Sequence, residues 1–537
     1  MLLRGTAIVS LLTLVSRILG FVRDLLVARL LGASLFADAF FVAFRIPNLL
    51  RSFAAEGALT SAFIPVFSSA LSHGKDEAQR AFKRIATFVI CLTSILTIVG
   101  IIFLPEVISI IAPGFRDDPD KRALVERLGR IMLPYIIFVS LVALLNAALN
   151  TLKVFGASAW AQVIMNLVLI VGAVCAIPFE PEKATLILAV SVLVGGLVQV
   201  VAQIPACRKA GLSPGLSSNV ASPEVREVIR LMLPATVGAS VYQLNIFIST
   251  LLASLLVEGS VSWLFYADRV SQFPIGIFSV ALASVLLPTL ANASASADKA
   301  RFDTVLSDSL RFTSFVIIPM ATGLWLLATP LTSLLFERGA FDHHATLMTA
   351  SAIQALALGL WSTSCHSMVV RAFMARKDTI TPTLIGVVSL LIYVSSALAL
   401  MGPIAESPSH TASLISSLQR LVVQVIPLNE VRGHVGLALA SSIAATTSLT
   451  LAIIIHASRS GAFPWRPFIR STLQAVGAAG CMALVVSLCT PFEAPAIVSC
   501  SVGAVLGAVS YCLASVCLRS EEMKATLSLF KRLVARA

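Results

Sequence analysis

The stretch FVICLTSILTIVGIIFL, Phe88 to Leu104, runs for 17 residues without a charge. In lipid every backbone N–H and C=O must be satisfied within the chain. A spanning segment is therefore a helix of about 20 apolar residues for a hydrocarbon core of roughly 30 Å. Such runs recur along the whole sequence, near 6–31, 34–67, 85–111, 128–151, 158–178, 184–206, 228–257, 261–290, 310–336, 346–372, 381–402, 434–457, 470–490 and 495–518. With 57% hydrophobic and 12% charged residues, little is left for a soluble domain. The expectation is an all-α integral membrane protein of about 14 transmembrane helices. Polar connectors are few, at 68–84, 112–127, 207–227, 291–309 and 403–433, and the Ser-rich last one has room for a short surface helix.

The net charge of +12 does not mark a nucleic-acid binder, because the basic residues sit in short connectors and form no basic domain. With both termini placed on one face, about 24 of the 39 Lys and Arg fall on that face and about nine on the other. By the positive-inside rule both termini are cytoplasmic. The opening MLLRGTAIVSLLTLVSRILG resembles a signal peptide until Arg17 interrupts it, so it reads as a retained first helix. The nine cysteines show no CxxC spacing and read as small buried hydrophobes.

The chain repeats itself. RIATFVI at Arg84 answers RFTSFVI at Arg311, AFIPVFSSA at Ala62 answers VLLPTLANA at Val285, and FVAFRI at Phe41 answers FYADRV at Phe265. The matches keep their order at a spacing of about 223 to 227 residues. Two copies of six helices predict two lobes of equal orientation related by an axis along the membrane normal. The lobes are 1–227 and 228–460, and 461–537 holds two extra helices and a cytoplasmic tail.

Six basic residues lie within the apolar runs: Arg17, Arg23, Arg29, Arg45, Arg51 and Arg269. At about 2.5–3.5 kcal/mol each at mid-bilayer, lipid exposure of all six would cost on the order of 15–20 kcal/mol. That exceeds the ~5–15 kcal/mol by which a typical protein is folded. They must therefore face protein or water, or snorkel, as Arg29 near a helix end is placed to do. Asp38, Arg45, Ser52 and Glu56 share one stripe if the helix runs straight through Pro47, and Arg17 shares a face with Asp24. Two readings stand. One is a set of bridges to Asp24, Asp38, Glu56 and Asp268, which accounts for four arginines at most. The other is a cationic, water-filled cavity holding an anion, to which the planar, permanently charged guanidinium fork is suited.

Other constellations carry less. His343 and His344 are adjacent in a connector, a spacing that does not place both on one metal, and His366 is a lone polar residue in a helix. Phosphate-loop and dinucleotide patterns, catalytic triads and intramembrane carboxylate clusters are not visible, so the reading is not an enzyme. It calls for no cofactor, and any coupled cation has no assigned identity.

The segments SRILGFVRD, ADAFFVAFRIPNLLR, FAAEGALTSAFIPV, YADRVSQFPIGIFSVALASVLLPTL and RAFMARKDTITP resemble the MurJ (MviN) family of lipid II flippases, within the MATE-like (MOP) exporter superfamily. The resemblance covers most of the chain. It implies two six-helix lobes around a V-shaped cavity and alternating access. It also implies that the two C-terminal helices help form a groove for a prenyl tail, in a bacterial inner membrane. The implied partners are lipid II, membrane lipids and other cell-wall synthesis proteins. Family arginines thought to hold the lipid diphosphate match Arg17, Arg23, Arg51 and Arg269, and acidic cavity positions match Asp24, Asp38 and Glu56, with Arg45, Asp268 and Gln272 as secondary candidates. One departure is Gln272, where the family often has an acidic residue. The rival readings are a MATE-type drug or cation antiporter, with aromatic and carboxylate residues dominating its cavity, and a non-transporting membrane scaffold with every arginine bridged.

Overall fold

Helices make up nearly all of the computed structural model, which describes residues 2–54, 58–296, 298–403, 410–425, 432–460, 463–491 and 493–534, with no strand among them. The first series is α1 (Leu2–Leu31), α2 (Leu35–Ala54), α3 (Ala58–Ser72), α4 (Lys75–Ile102), α5 (Leu104–Ile111), α6 (Pro119–Met132), α7 (Tyr135–Thr151), α8 (Phe155–Ala176) and α9 (Pro181–Lys209). The second is α10 (Pro223–Ser254), α11 (Ser260–Pro274), α12 (Val280–Ala295), α13 (Lys299–Leu326), α14 (Ala328–Phe336), α15 (His343–Ala375), α16 (Ile380–Leu400), α17 (His410–Val425) and α18 (Gly433–Ser460). Helices α19 (Trp465–Cys489), α20 (Ala496–Cys517) and α21 (Glu521–Val534) follow.

Among the described residues, ten helices are long and apolar enough to cross a membrane, and they match ten of the fourteen expected runs. The described residues of the other four runs are also mostly helical, and these runs are the first two of each repeat. In the run 6–31, α1 carries Arg17, Arg23, Asp24 and Arg29. The run 34–67 contains two helices, α2 and α3, and in α10 the described apolar part is the short stretch Gln243–Ser254. The run 261–290 divides because Pro274 has no N–H to donate back, and Ile275–Ser279 winds as a π-turn between α11 and α12.

The repeat is visible in local geometry. Helices α4 and α13 are each 28 residues long, and each passes through one non-helical residue, Phe103 (φ −93°, ψ 16°) or Leu327 (φ −96°, ψ 12°), into a short helix. The span Pro119–Thr151 and its counterpart His343–Ala375 are both 33 residues, and each is capped by an aspartate, Asp118 or Asp342, accepting a backbone N–H. Both are followed by a lysine in the left-handed region, Lys153 (φ 64°) or Lys377 (φ 60°). The copies part company after α8 and α16. Only the second inserts a long connector, which holds α17.

Two compact units emerge from the packing. The first takes in α1–α10, the 255–262 turn and Arg338–Phe341. The second begins at Trp263 and takes in the rest of α11, α12–α16 and α18–α21. Phe63, Phe67, Phe82, Ile85 and Leu149 centre the first core, and Phe302, Leu306, Leu310, Met368 and Phe373 the second. Small residues let helices meet closely. A Cβ on Gly196 of α9 would lie 2.7 Å from the Tyr135 ring, and one on Gly359 of α15 would lie 2.6 Å from the Ser442 Cα of α18. Of the nine cysteines only Cys207 and Cys365 are buried. Cys91, Cys175, Cys481, Cys489, Cys512 and Cys517 are exposed, which corrects their reading as buried residues. Outer faces of spanning helices need only match lipid, and a thiol does so as well as alanine.

The C-terminal helices join the second unit through Phe315, Ala478, Met482 and Tyr511, whose hydroxyl donates to the Phe315 carbonyl at 2.7 Å. Helix α21 is held by charge. Arg311 of α13 bridges to Glu521 and Glu522, and Glu522 also accepts from Ser471 and Ser520, at 2.8 Å each. Burial opposes ionisation of Glu522, yet its own backbone N–H, Ser520, Ser471 and Arg311 together hold its pKa below the usual value.

Asp378, just before α16, accepts from the Thr381 hydroxyl at 2.7 Å, the Thr381 N–H at 3.0 Å and Arg459 at 2.7 Å. The Thr381 bonds, then Arg459, lower its pKa from 3.8 to about 2. A depressed carboxylate stabilises the fold fully above the unfolded pKa and ceases to do so as pH falls through the folded one. Asp378→Ala is expected to cost about 1 kcal/mol near pH 7. Measured by thermal unfolding in detergent, the gap from wild type should close between pH 4 and pH 2.

Candidate functional site

Arg23 lies on α1, surrounded by apolar helix, and its charge is met at close range. Its Nε and Nη2 both donate to Asp24 Oδ1, at 2.9 and 2.7 Å, and Nη1 donates to Asn166 Oδ1 of α8 at 3.1 Å. Asn166 in turn donates to the Ser16 carbonyl at 2.9 Å and the Ser16 hydroxyl at 3.2 Å, closing a ring of polar contacts between the two helices. Gly20 leaves room for it, since a Cβ there would already touch the amide at 3.6 Å. A guanidinium has five N–H donors in a fixed fork. Three are used here, which leaves two for a ligand and fixes the plane from which they are offered. The expected pairing differs in detail. The neighbour Arg23 takes Asp24 within one helix, while Arg17 is exposed on α1.

Asp38 of α2 is almost fully buried and accepts four bonds. Lys121 Nζ lies at 3.2 Å, Gly259 N–H at 2.9 Å, Ser262 N–H at 3.0 Å and Ser262 Oγ at 2.6 Å. Lys121 is itself buried and sits 4.2 Å over the Phe115 ring. This corrects the reading of 112–127 as an exposed connector, because the segment folds as a short 3₁₀ turn and α6 and turns its lysine inward. Nearby, Glu258 accepts the Leu35 N–H at 2.7 Å, and Ala340 donates to the Arg29 carbonyl at 2.9 Å. Gly32 (φ +61°) permits that approach, since a Cβ would stand 2.2 Å from the Ala340 carbonyl oxygen.

Helix α2 continues through Pro47, so Asp38 and Arg45, seven residues apart, share its face. Arg45 and Arg51 are half-buried on that helix, Arg51 in its last turn. Glu56 lies outside the described residues. In the second unit, the Arg269 guanidinium lies 4.9 Å over the Phe265 ring of its own helix α11. Gln272 donates to the Asp268 carboxylate one turn before it, and both are exposed. The amide thus binds a neighbouring acid that an acidic side chain at the same position would repel.

Sequence reasoning missed Asn166, Lys121, Ser262 and Gly259. Asn166 had a signal, as a lone amide within the apolar MNLVLIV. The others had none, because Lys121 looks like an ordinary connector lysine and two of Asp38's donors are backbone N–H groups. Among the described residues no three His, Cys, Asp or Glu side chains gather as metal ligands.

A family profile described as lipid II flippase MurJ matches residues 27–426. A relative from Burkholderia cenocepacia, named lipid II flippase MurJ, is 38% identical over 396 residues, covering 73% of this chain and 77% of its own. Another from Vibrio cholerae, named probable lipid II flippase MurJ, is 36% identical over 400 residues, covering 73% and 76%. A solved lipid II flippase MurJ in an inward closed conformation superposes with a TM-score of 0.76 at 25% identity, over 94% of this chain and 97% of that one. An inward-facing MATE multidrug transporter of the MOP superfamily, at 16% identity and a TM-score of 0.62 over 83% and 95%, shares the fold. This multi-pass membrane chain therefore belongs to the MurJ lipid II flippase family.

Proposed function

We propose that this chain moves lipid II, the undecaprenyl-diphosphate-linked disaccharide peptide of cell-wall synthesis, from the cytoplasmic to the outer leaflet of a bacterial inner membrane by alternating access. The lobes are 1–227 and 228–460, with 461–537 as a C-terminal addition, and both termini are cytoplasmic. The observation that carries the reading for this chain is Arg23. A membrane-embedded guanidinium is oriented by Asp24 and Asn166 with two donors to spare, as a phosphate clamp requires. Arg17, Arg51 and Arg269 complete the clamp, and Asp24 keeps Arg23 oriented when no lipid is bound. The prenyl tail stays in lipid along α19 and α20, whose outer faces carry Leu473, Leu484, Val505 and Leu513. No bond of the substrate is made or broken, so the chain is a transporter. An inside-negative potential favours outward movement of two negative charges by ~4–5 kcal/mol per 100 mV if both cross the full field.

The test is labelling of lipid II on the outer leaflet in cells that depend on this chain, with Arg269→Ala compared with wild type at matched protein levels. The expected result is loss of labelling with lipid II accumulating inside. Equal labelling in the two strains would remove Arg269 from the clamp.

A further inference from the structure

The RAFMARKDTITP segment, Arg371 to Pro382, has no part in the transport reading, yet its Arg376 lines a distinct cavity. An open cavity of about 260 Å³ lies in the second unit where the ends of α12, α13, α15 and α18 meet, lined by Ser294, Asp298, Lys299, Phe302, Arg376 and Arg459. That size suits a head group and falls short of most drug-sized ligand sites, which begin near ~300 Å³.

Charge on the wall is unbalanced. Asp298, the one acidic lining residue, is occupied as the α13 cap, accepting the Arg301 N–H at 2.9 Å. Arg459 spends one nitrogen on Asp378 at 2.7 Å. The Arg376 guanidinium is laid 4.1 Å over the Phe302 ring, and the nearest carboxylate, Asp303, is 3.7 Å away, beyond hydrogen-bond reach. Asp303 is already engaged by His456 at 2.9 Å and by Ser460. Among the described residues, the side chains of Arg376 and Lys299 make no hydrogen bond, and Arg376 has Asp303 only as an ion-pair partner at 3.7 Å. A positioned planar fork, a second guanidinium and an ammonium around one small cavity are the donor set for a phosphate group. Ser294 adds a hydroxyl to the wall.

We propose that this cavity is a phosphate-binding site, separate from the clamp, which takes a phosphate ester or inorganic phosphate on Lys299, Arg376 and Arg459. Its occupant ties the α12–α13 end to the ends of α15 and α18. The site does not rest on lipid II being the transported lipid.

The test is equilibrium dialysis of the full chain in neutral detergent, at physiological salt, against two radiolabelled probes, inorganic phosphate and dihexanoylphosphatidylglycerol. Saturable binding of one probe per chain is expected, weakened about tenfold in Lys299→Gln and in Arg376→Lys. Arg376→Lys keeps the charge and loses the fork, and exposed Lys299 can be changed without disturbing the core. The Lys299-dependent part of the binding should persist in Arg269→Ala, whose effect falls on the clamp alone. Saturation by the lipid alone assigns the site to a lipid head group, and saturation by phosphate assigns it to the phosphate itself. The site is overturned if neither probe saturates, or if both variants fold and bind as wild type does. Binding lost in Arg269→Ala but kept in Lys299→Gln overturns it too, by placing the ligand on the clamp.

Discussion

Arg17→Ala is expected to leave unfolding within about 0.5 kcal/mol of wild type, as for an exposed residue with no core role, and to abolish outer-leaflet exposure of lipid II. Removing a cation from a desolvated phosphate contact costs ~2–5 kcal/mol of head-group binding, or some 30-fold to several thousand-fold. The choice of position matters. Arg23→Lys looks like the natural way to separate a clamp from a bridge. However, Arg23 already uses its fork on Asp24 and Asn166, so lysine weakens helix contact and lipid contact alike. That variant should lose about 1–3 kcal/mol of stability together with exposure. The separating pair of measurements is unfolding in detergent and lipid II labelling in cells, made on both variants. If Arg17→Ala retains wild-type exposure, Arg17 does not touch the lipid.

Asp38→Ala should be among the most damaging single substitutions in the first unit. It leaves Lys121 buried without a counter-charge and strips acceptors from the Gly259 and Ser262 N–H groups. Breaking a buried ion pair by removing one partner costs ~3–5 kcal/mol. The paired replacement Asp38→Leu with Lys121→Met removes both charges and should recover a large part of that loss, because the desolvation of the two ions disappears with them. Unfolding of the two singles and the double, as a mutant cycle, checks this. A double variant no more stable than Asp38→Ala would mean that the Gly259 and Ser262 bonds, and not the ion pair, hold this joint.

Much of the fold was legible because a bilayer admits few solutions. Apolar runs of spanning length marked the helices, and the match of FVAFRI to FYADRV predicted two copies. The copies then proved alike down to a left-handed lysine at Lys153 and Lys377. The breaks were less legible. Pro47 and Pro274 are the same residue type, yet α2 runs on through one while a π-turn follows the other. Neighbours that re-satisfy the freed carbonyl decide that outcome, and a single helix does not reveal them.

For the site, the sequence by itself determined which charges needed a reason to be in the membrane. Desolvation makes each intramembrane arginine conspicuous whatever surrounds it. Only the tertiary structure decided what each carboxylate does. Asp24 and Asp38 look alike as lone acids in apolar helices, but Asp24 orients Arg23, while Asp38 is consumed by Lys121 and by Ser262, the residue 224 positions on. Helical phase gives the face on which a side chain stands. Which donor arrives there, above all a backbone N–H from a distant turn, is set by packing alone.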